Sequence, residues 1–398
     1  MAGSSCCGGT TLRRVGKKSA CACAAPAAET KEQRACACGA QQTPEDACDC
    51  APRARVEERW VTGYVPTPVG EVPQVATRLG FADVWGSWKC RWSIGRMDYA
   101  IPPGLYCVGT PQETSPVLVT ANYKMTFDRV RRELSGVDAW IVVLDTDGIN
   151  VWCAAGKGTF GTDEVVRRVR QTGLHRVVTH RTLVLPQLAA PGVAAHGVAK
   201  RCGFRVVYGP VRASDLKAFL AAGMQATPAM RAVTFSAWDR LVLTPMELVA
   251  ALQPGVLVMG VLFVLNAIGL GHYGLVDLVA LWGAVLVGCV LTPVLLPWIP
   301  GRAFAFKGAL LGLLWAAGVN VLHGFPAMPD FGWLKAAAYV LLLPSVAAFC
   351  AMNFTGSSTY TSLSGVDKEM RVALPTMILA TAVGVLLLLV NDFLLVLG

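Results

Sequence analysis

The sequence predicts an α/β domain built on a parallel, doubly wound sheet, followed by an all-α domain of five transmembrane helices. Three observations predict it. Strand-like apolar runs alternate with helical segments from Val117 to about residue 222, the pattern of βαβ units. Five long apolar stretches then follow one another to the end of the chain. Finally, 54% of the 398 residues are hydrophobic and only 15% charged, with a mean hydropathy of +0.49. A soluble domain runs about 25% charged, so a wholly soluble globular protein is excluded.

Residues 1–58 are rich in Ala, Gly, Cys, Thr, Pro and charge without apolar periodicity, and are predicted to be a disordered tail. Eight of the 14 cysteines fall there, as Cys6 and Cys7, Cys21 and Cys23, Cys36 and Cys38, and Cys48 and Cys50. No apolar signal-peptide core is visible, so the thiols are expected to stay reduced. Their spacing then reads either as soft-metal ligation or as an unstructured tail.

The α/β domain is placed at residues 59–230. Its lead-in, 59–110, carries four tryptophans (Trp60, Trp85, Trp88, Trp92) among Gly and Pro and reads as irregular and packed. Val117–Ala121 is a short apolar strand, 126–134 has helical spacing, and Ala139–Leu144 is a buried strand ended by Asp145-Thr-Asp-Gly148. Thr162 is expected to cap the next helix, with Asp163 and Glu164 in its first turn, where the helix dipole favours acids. Further strands are expected at 176–179 and Arg205–Tyr208, with helices near 194–202 and 214–222.

A linker at 231–253 leads to the transmembrane domain, 254–398, with spans at 254–270, 275–299, 303–322, 334–352 and 373–397. Each approaches or exceeds the ~20 residues that cross a bilayer. From Met246 onward there are five Lys/Arg and six Asp/Glu, whereas residues 1–245 carry a net +10. That excess lies beside a membrane segment and is modest, so no nucleic-acid partner is implied. Basic residues before, between and after the spans alternate 2, 0, 2, 1, 2 (Arg231 and Arg240; none; Arg302 and Lys307; Lys335; Lys368 and Arg371). The positive-inside rule therefore places the α/β domain in the cytoplasm, the chain as a multi-pass protein of the cell inner membrane, and the C-terminus outside. Asn266, Asn320, His323 and Asp392 are polar groups in or near spans, and 355–364 is a loop with seven Ser/Thr.

Ligands of doubly wound sheets sit at the carboxyl ends of strands, where Asn150-Val-Trp-Cys-Ala-Ala-Gly-Lys157 lies. Gly156-Lys-Gly158-Thr-Phe-Gly161 has the GxGxxG dinucleotide pattern, but that reading needs an acid about 20 residues on. No Asp or Glu lies between Glu164 and Asp215, which leaves only Arg181 to meet a 2′-phosphate. A P-loop is excluded, because glycine follows Gly156-Lys157 and Val151 stands where the leading glycine belongs. Cys153 is either a small buried hydrophobe, an axial metal ligand, or a nucleophile needing a base such as His175, His180 or His196. Trp152 could wall a flat ligand, and Ala154-Ala155-Gly156 leaves room for one.

This octapeptide resembles the signature of the HgcA family, the corrinoid proteins of microbial mercury methylation. Val119-Thr-Ala-Asn-Tyr-Lys-Met-Thr-Phe-Asp128 resembles the same family and the corrinoid domain of the corrinoid iron–sulfur protein. The likeness covers roughly residues 60–398. It implies a Rossmann-like domain holding a base-off, cobalamin-type corrinoid, with Cys153 as the lower axial ligand of cobalt and the octapeptide on a short cap helix. Thr120, Asn122 and Thr126 are then expected to face the corrin, and Asn150, Val151, Trp152, Ala154, Gly156 and Lys157 to surround the lower ligand. Gln187 and Gly192 are expected in the nucleotide-tail pocket. The implied activity is corrinoid-dependent methyl transfer from methyl-Co(III) to thiol-bound Hg(II), forming methylmercury. The implied partners are the ferredoxin-like [4Fe-4S] protein HgcB as electron donor and a folate-linked methyl donor. Two other functions fit the same sequence: a membrane-anchored methyl carrier of one-carbon metabolism, and a metal transporter with a Cys-rich metal-binding tail.

Overall fold

The computed structural model describes residues 55–271, 273–323 and 332–397. The Cys-rich segment to Cys50 and the 326–331 loop lie outside the described residues.

Seven strands form one sheet: β1 (Val61–Thr67), β2 (Gly70–Val75), β3 (Gly104–Val108), β4 (Val117–Ala121), β5 (Ala139–Leu144), β6 (Thr182–Leu185) and β7 (Arg205–Tyr208), in the order β1-β2-β3-β5-β4-β6-β7. The four strands β5-β4-β6-β7 are parallel, as expected. The whole sheet is mixed, because β3 runs antiparallel to β5 and β1 antiparallel to β2. The lead-in expected to be irregular thus supplies three strands. Gly70, at φ +105°, closes the β1–β2 hairpin, and Trp60 is buried against Tyr106 and Phe127, with ring centroids 5.6 and 5.2 Å away.

The helices of this domain are α1 (Phe81–Arg91), α2 (Lys124–Glu133), α3 (Val151–Lys157), α4 (Thr162–Thr172), α5 (Ala195–Cys202) and α6 (Leu216–Ala221). Alternate strand residues divide the core by face. Val117, Val119 and Ala121 meet α3, α4 and α5 through Val151, Val165, Val169 and Val198. On the other face Leu118, Ile141 and Val143 meet Phe127 of α2 and Leu216 and Phe219 of α6. Helices on both faces are what double winding requires.

Two local expectations are corrected. The strand expected at 176–179 is instead β6, six residues later. Val177 and Val178 are buried but pack from an irregular segment, so their apolar character reports burial rather than pairing. The cap of α4 is Gly161, not Thr162. Thr162 Oγ1 accepts from Ala194 N (2.8 Å), tying α4 to the loop before α5.

Beyond α7 (Pro228–Arg231), the expected linker is helical, with α8 (Ala237–Leu241) running almost directly into α9 (Thr244–Ala267). Then come α10 (Leu275–Leu286), a π-helical turn over Val287–Leu291, α11 (Thr292–Leu295), α12 (Phe304–Leu322), α13 (Trp333–Asn353) and α14 (Leu363–Leu397). Among the described residues, five helical segments are long and apolar enough to cross a membrane: Ala237–Ala267, Leu275–Leu295, Phe304–Leu322, Trp333–Ser357 and Ser364–Leu394. Glycines let these helices approach closely. A Cβ on Gly308 would lie 2.6 Å from the Ala347 carbonyl, and one on Gly312 2.7 Å from Pro344 Cα. Three residues counted as loop charges are used inside the bundle. Lys335 pairs with Asp277 (3.0 Å), Lys307 Nζ donates to Leu296 O (2.5 Å), and Arg240 Nη2 donates to Val294 O (2.8 Å). Among the polar groups expected at depth, Asn266 holds the Tyr273 backbone and Asn320 donates to Ala336 O.

Candidate functional site

In the parallel part of the sheet β4 leads into α2 on one face and β6 into α5 on the other, so the chain reverses direction between them. A crevice at the carboxyl ends of such strands is where ligands of open α/β sheets bind. The helix α3, which carries most of the octapeptide, lies over this crevice, against the end of β4 and the 3₁₀ turn Gln187–Ala189.

Seven residues make a weak helix on their own, and α3 is held at both ends. Asn150 is its N-cap, the side-chain oxygen accepting from Cys153 N at 2.9 Å. Gly158, at φ +86°, ends it in the left-handed conformation. Val151, Ala154 and Ala155 are buried and seat the helix in the core. Trp152, Gly156 and Lys157 are exposed and Cys153 is half-buried. The octapeptide therefore presents Trp152, Cys153, Gly156 and Lys157 outward, while Val151 and Ala154 support them from below.

The loop leading into α3 is latched by Asn122. Its Oδ1 accepts from Thr146 N (3.1 Å), Thr146 Oγ1 (2.8 Å) and Gly148 N (3.0 Å), and its Nδ2 donates to Asp145 (3.3 Å). The Asn122 side chain is thus engaged in positioning the β5–α3 turn, in which Asp147 sits at φ +55°. Beneath the helix, Gly192 is fixed by packing. A Cβ there would overlap the Phe160 carbonyl and stand 3.0 Å from both Ala155 Cα and Ala155 O. At Gly156, by contrast, a Cβ would meet nothing within 4 Å.

Three side-chain atoms near the crevice are buried without a hydrogen-bond partner: Thr120 Oγ1 near the end of β4, Thr159 Oγ1 just after α3 and Gln187 Oε1 just after β6. Buried polar atoms are normally satisfied, so each is a place for a polar ligand group. A corrinoid carries amide groups around its ring and a polar nucleotide tail, and these residues fit such a rim. Thr120 lies on the α2 face of the sheet and Thr126, half-buried, in the first turn of α2. The structure brings Asn150 to Lys157, Asn122, Gln187, Gly192 and Thr120 to the carboxyl end of the parallel strands, Thr120 on the α2 face with Thr126 in the first turn of α2.

The other candidates separate from this centre. His180 takes Thr182 N and bonds Ser115 O (2.9 Å) before β6 begins, at the opposite end of the sheet from α3. Burial pushes the Cys107 thiol up to about 12, which keeps it protonated and inert. Gly156–Gly161 joins α3 to α4, helix to helix. The dinucleotide pattern requires a strand-to-helix turn, and that reading is therefore overturned. Beside this segment is a cavity of about 310 Å³ lined by Asp145, Asp147, Thr159, Asp163, Glu164 and Arg167.

A charged cluster not identified from sequence fixes the neighbouring helices. Lys124 Nζ reaches Asp83 (2.6 Å) and Asp128 (2.8 Å), while Arg131, fully buried, bonds the same two carboxylates at 2.8 Å. Burial alone would raise the Asp83 pKa, but hydrogen bonds from Lys124, Gly80 N and Arg131 outweigh it and hold the carboxyl below its ordinary value. The acid and base spacing of Lys124, Asp128 and Arg131 at i, i+4 and i+7 was the available signal.

A family model described as the CO dehydrogenase/acetyl-CoA synthase delta subunit matches residues 95–220. Among curated proteins, the acetyl-CoA decarbonylase/synthase complex subunit gamma of Methanopyrus kandleri is 36% identical over 134 residues, which is 33% of this chain and 29% of that protein. Subunit gamma 2 of Methanosarcina thermophila is 37% identical over 125 residues, 30% and 26% of the two chains. The gamma subunit of Methanocaldococcus jannaschii is 34% identical over 100 residues, 25% and 20% of the two. This chain thus spans less than a third of the length of each of these relatives.

Proposed function

We propose that this chain is a membrane-anchored corrinoid protein that accepts a methyl group and passes it on. The observation that carries the reading is the outward Cys153 on a helix capped by Asn150 and seated over the switch-point crevice. When bound, a base-off corrinoid supplies a cobalt centre able to take up and release a methyl group. Cys153 would hold the cobalt through its sulfur, which as a thiolate is a stronger electron donor than a neutral imidazole and would favour release of a methyl group to an electrophile. Asn150 and Gly192, which hold α3, would set the position of this sulfur, Trp152 would offer its exposed side chain to the ring, and Thr120 and Gln187 would offer their unpartnered oxygens to its polar substituents. Their likeness to acetyl-CoA decarbonylase/synthase subunits supports the coarser class, a methyl carrier of one-carbon metabolism, better than any particular acceptor.

For the acceptor we propose thiol-bound Hg(II), giving methylmercury. What supports this is the Asn150–Lys157 octapeptide, which resembles the mercury-methylating family, joined to five membrane-length helices. On this reading a ferredoxin-like [4Fe-4S] protein of the HgcB type supplies the low-potential electron and a folate-linked compound the methyl group. The boundaries 59–230 and 254–398, the cytoplasmic placement of the corrinoid domain and the inner-membrane location belong to the same proposal. The full chain, purified anaerobically, should carry cobalt and a corrinoid absorption spectrum. Methylmercury formation with the redox partner and donor present assigns the acceptor. Corrinoid without methylmercury leaves the carrier function, and absence of corrinoid refutes both.

A further inference from the structure

We propose that Cys289 and Cys350 form a two-sulfur site for a soft divalent cation inside the membrane-spanning bundle. The site is separate from the corrinoid reading and does not depend on it.

Cys289 lies in the π-helical turn Val287–Leu291, and Cys350 on α13. Both are buried, at 1% and 6% exposure, and belong to one core cluster with Val285. The helices are locked together at this point. A Cβ on Gly288 would stand 2.5 Å from Cys350 Cβ and 2.6 Å from the Ala347 carbonyl, so the backbone beside Cys289 lies directly against Cys350. Single π turns inside α-helices recur at functional sites, and this one is stabilised by Thr292 Oγ1 donating to Val287 O at 2.8 Å. Leu248 and Ala251 of α9 pack against this cluster, and Glu247 of the same helix accepts from Ser357 Oγ at 3.2 Å. Cys350 is seven residues before Ser357, so the pair lies roughly 10 Å along the helix from that end of the bundle.

The ligand class follows from count, charge and softness. Among the described residues no group of three or more His, Cys, Asp or Glu could hold a metal ion, so a four-coordinate ion such as Zn(II) lacks its ligands. Two sulfurs alone suit a soft cation that accepts linear two-coordination. Two thiolates neutralise one divalent ion, leaving no net charge in a low-dielectric interior, whereas a monovalent ion would leave one negative charge there at high cost. Hg(II) meets all three conditions. Loading is a redox-neutral exchange. Two Hg–S bonds to the carrier thiolates break and two form to Cys289 and Cys350, while the two protein protons leave on the released carrier thiols.

The test uses the full chain with the eight cysteines from Cys6 to Cys50 changed to serine, given Hg(II) as its glutathione complex in excess glutathione, then desalted. Mercury per chain should fall by one equivalent in Cys289→Ala and equally in Cys350→Ser, with no further loss in the double variant. Cobalt content and a monodisperse elution profile, unchanged from the parent, show that the variants fold and keep this test apart from the corrinoid reading. Mercury unchanged in either single variant overturns the site, as does equal retention of Zn(II). Should the variants aggregate, mild oxidation of the parent in membranes should give a Cys289–Cys350 disulfide by peptide mapping. Preloaded Hg(II) should block it, and an unblocked disulfide overturns the proposal.

Discussion

Asn122→Ala is predicted to loosen α3 without unfolding the sheet. The substitution removes the oxygen that accepts from Thr146 N, Thr146 Oγ1 and Gly148 N. Thr146 Oγ1 keeps a partner in Ile149 O (2.8 Å), so the loss falls on two backbone amides. Thr146 is fully buried and Gly148 is half-buried. One desolvated donor left unsatisfied costs ~1–3 kcal/mol, and a second that water can reach adds about 1 kcal/mol, so the total is roughly 2–4 kcal/mol. At about 1.4 kcal/mol per decade, the open state of the 145–157 segment should rise roughly 30- to 800-fold. Hydrogen exchange of the detergent-solubilised full chain reads this directly. Peptides covering 145–157 should lose protection by that factor, and peptides from β7 should not. Protection within twofold of the parent in Asn122→Ala would refute the latch.

Three further outcomes follow from the same geometry. Gly192→Ala should lift α3 through its clash with Phe160 and Ala155, costing ~1–3 kcal/mol as overpacking, and should lower cobalt retention; Gly156→Ala, in open space, should leave both intact. Thr120→Val keeps the shape of a buried residue whose hydroxyl has no partner, so it should leave melting temperature unchanged and weaken corrinoid retention in a cobalt assay. Because the Asp83 pKa is depressed below 3.8, its contribution to docking α1 on α2 should be full above that pH and lost as pH falls through the folded value. In exchange measurements of α1, Asp83→Asn should lower protection at neutral pH and flatten the acid limb.

The parts of this fold that were legible in the sequence were those with strong periodicity or length. Ala139–Leu144 and Val117–Ala121 are continuous apolar runs and became buried parallel strands, and the five membrane-length helices stood out by length alone. The β1–β2 hairpin was hidden because only Val72 and Val75 of its strand residues are buried, so no apolar run marks it, and tryptophans dominate its surroundings. The strand β6 was misplaced because Val177-Val178 has the composition of a strand but lies outside the ladder. At the candidate site, the short helix that carries Cys153 was marked by an unusual local motif. The latch of Asn122 on Thr146 and Gly148, 24 and 26 residues away, is a tertiary contact with no local signature. So is the pairing of Asp277 with Lys335, since a charge counted by position along the chain says nothing of what faces it across the bundle.

The axial ligand of cobalt tests the central claim most directly. If the Cys153 sulfur is the lower ligand, the corrinoid-loaded full chain, poised as Co(II), should give an electron paramagnetic resonance spectrum without axial nitrogen hyperfine splitting. Cys153→His should retain corrinoid, acquire that splitting and lose most methyl transfer, since a neutral nitrogen donates less to the opposite face. Axial nitrogen splitting in the native protein, or full methyl transfer by Cys153→Ala, would contradict the thiolate account.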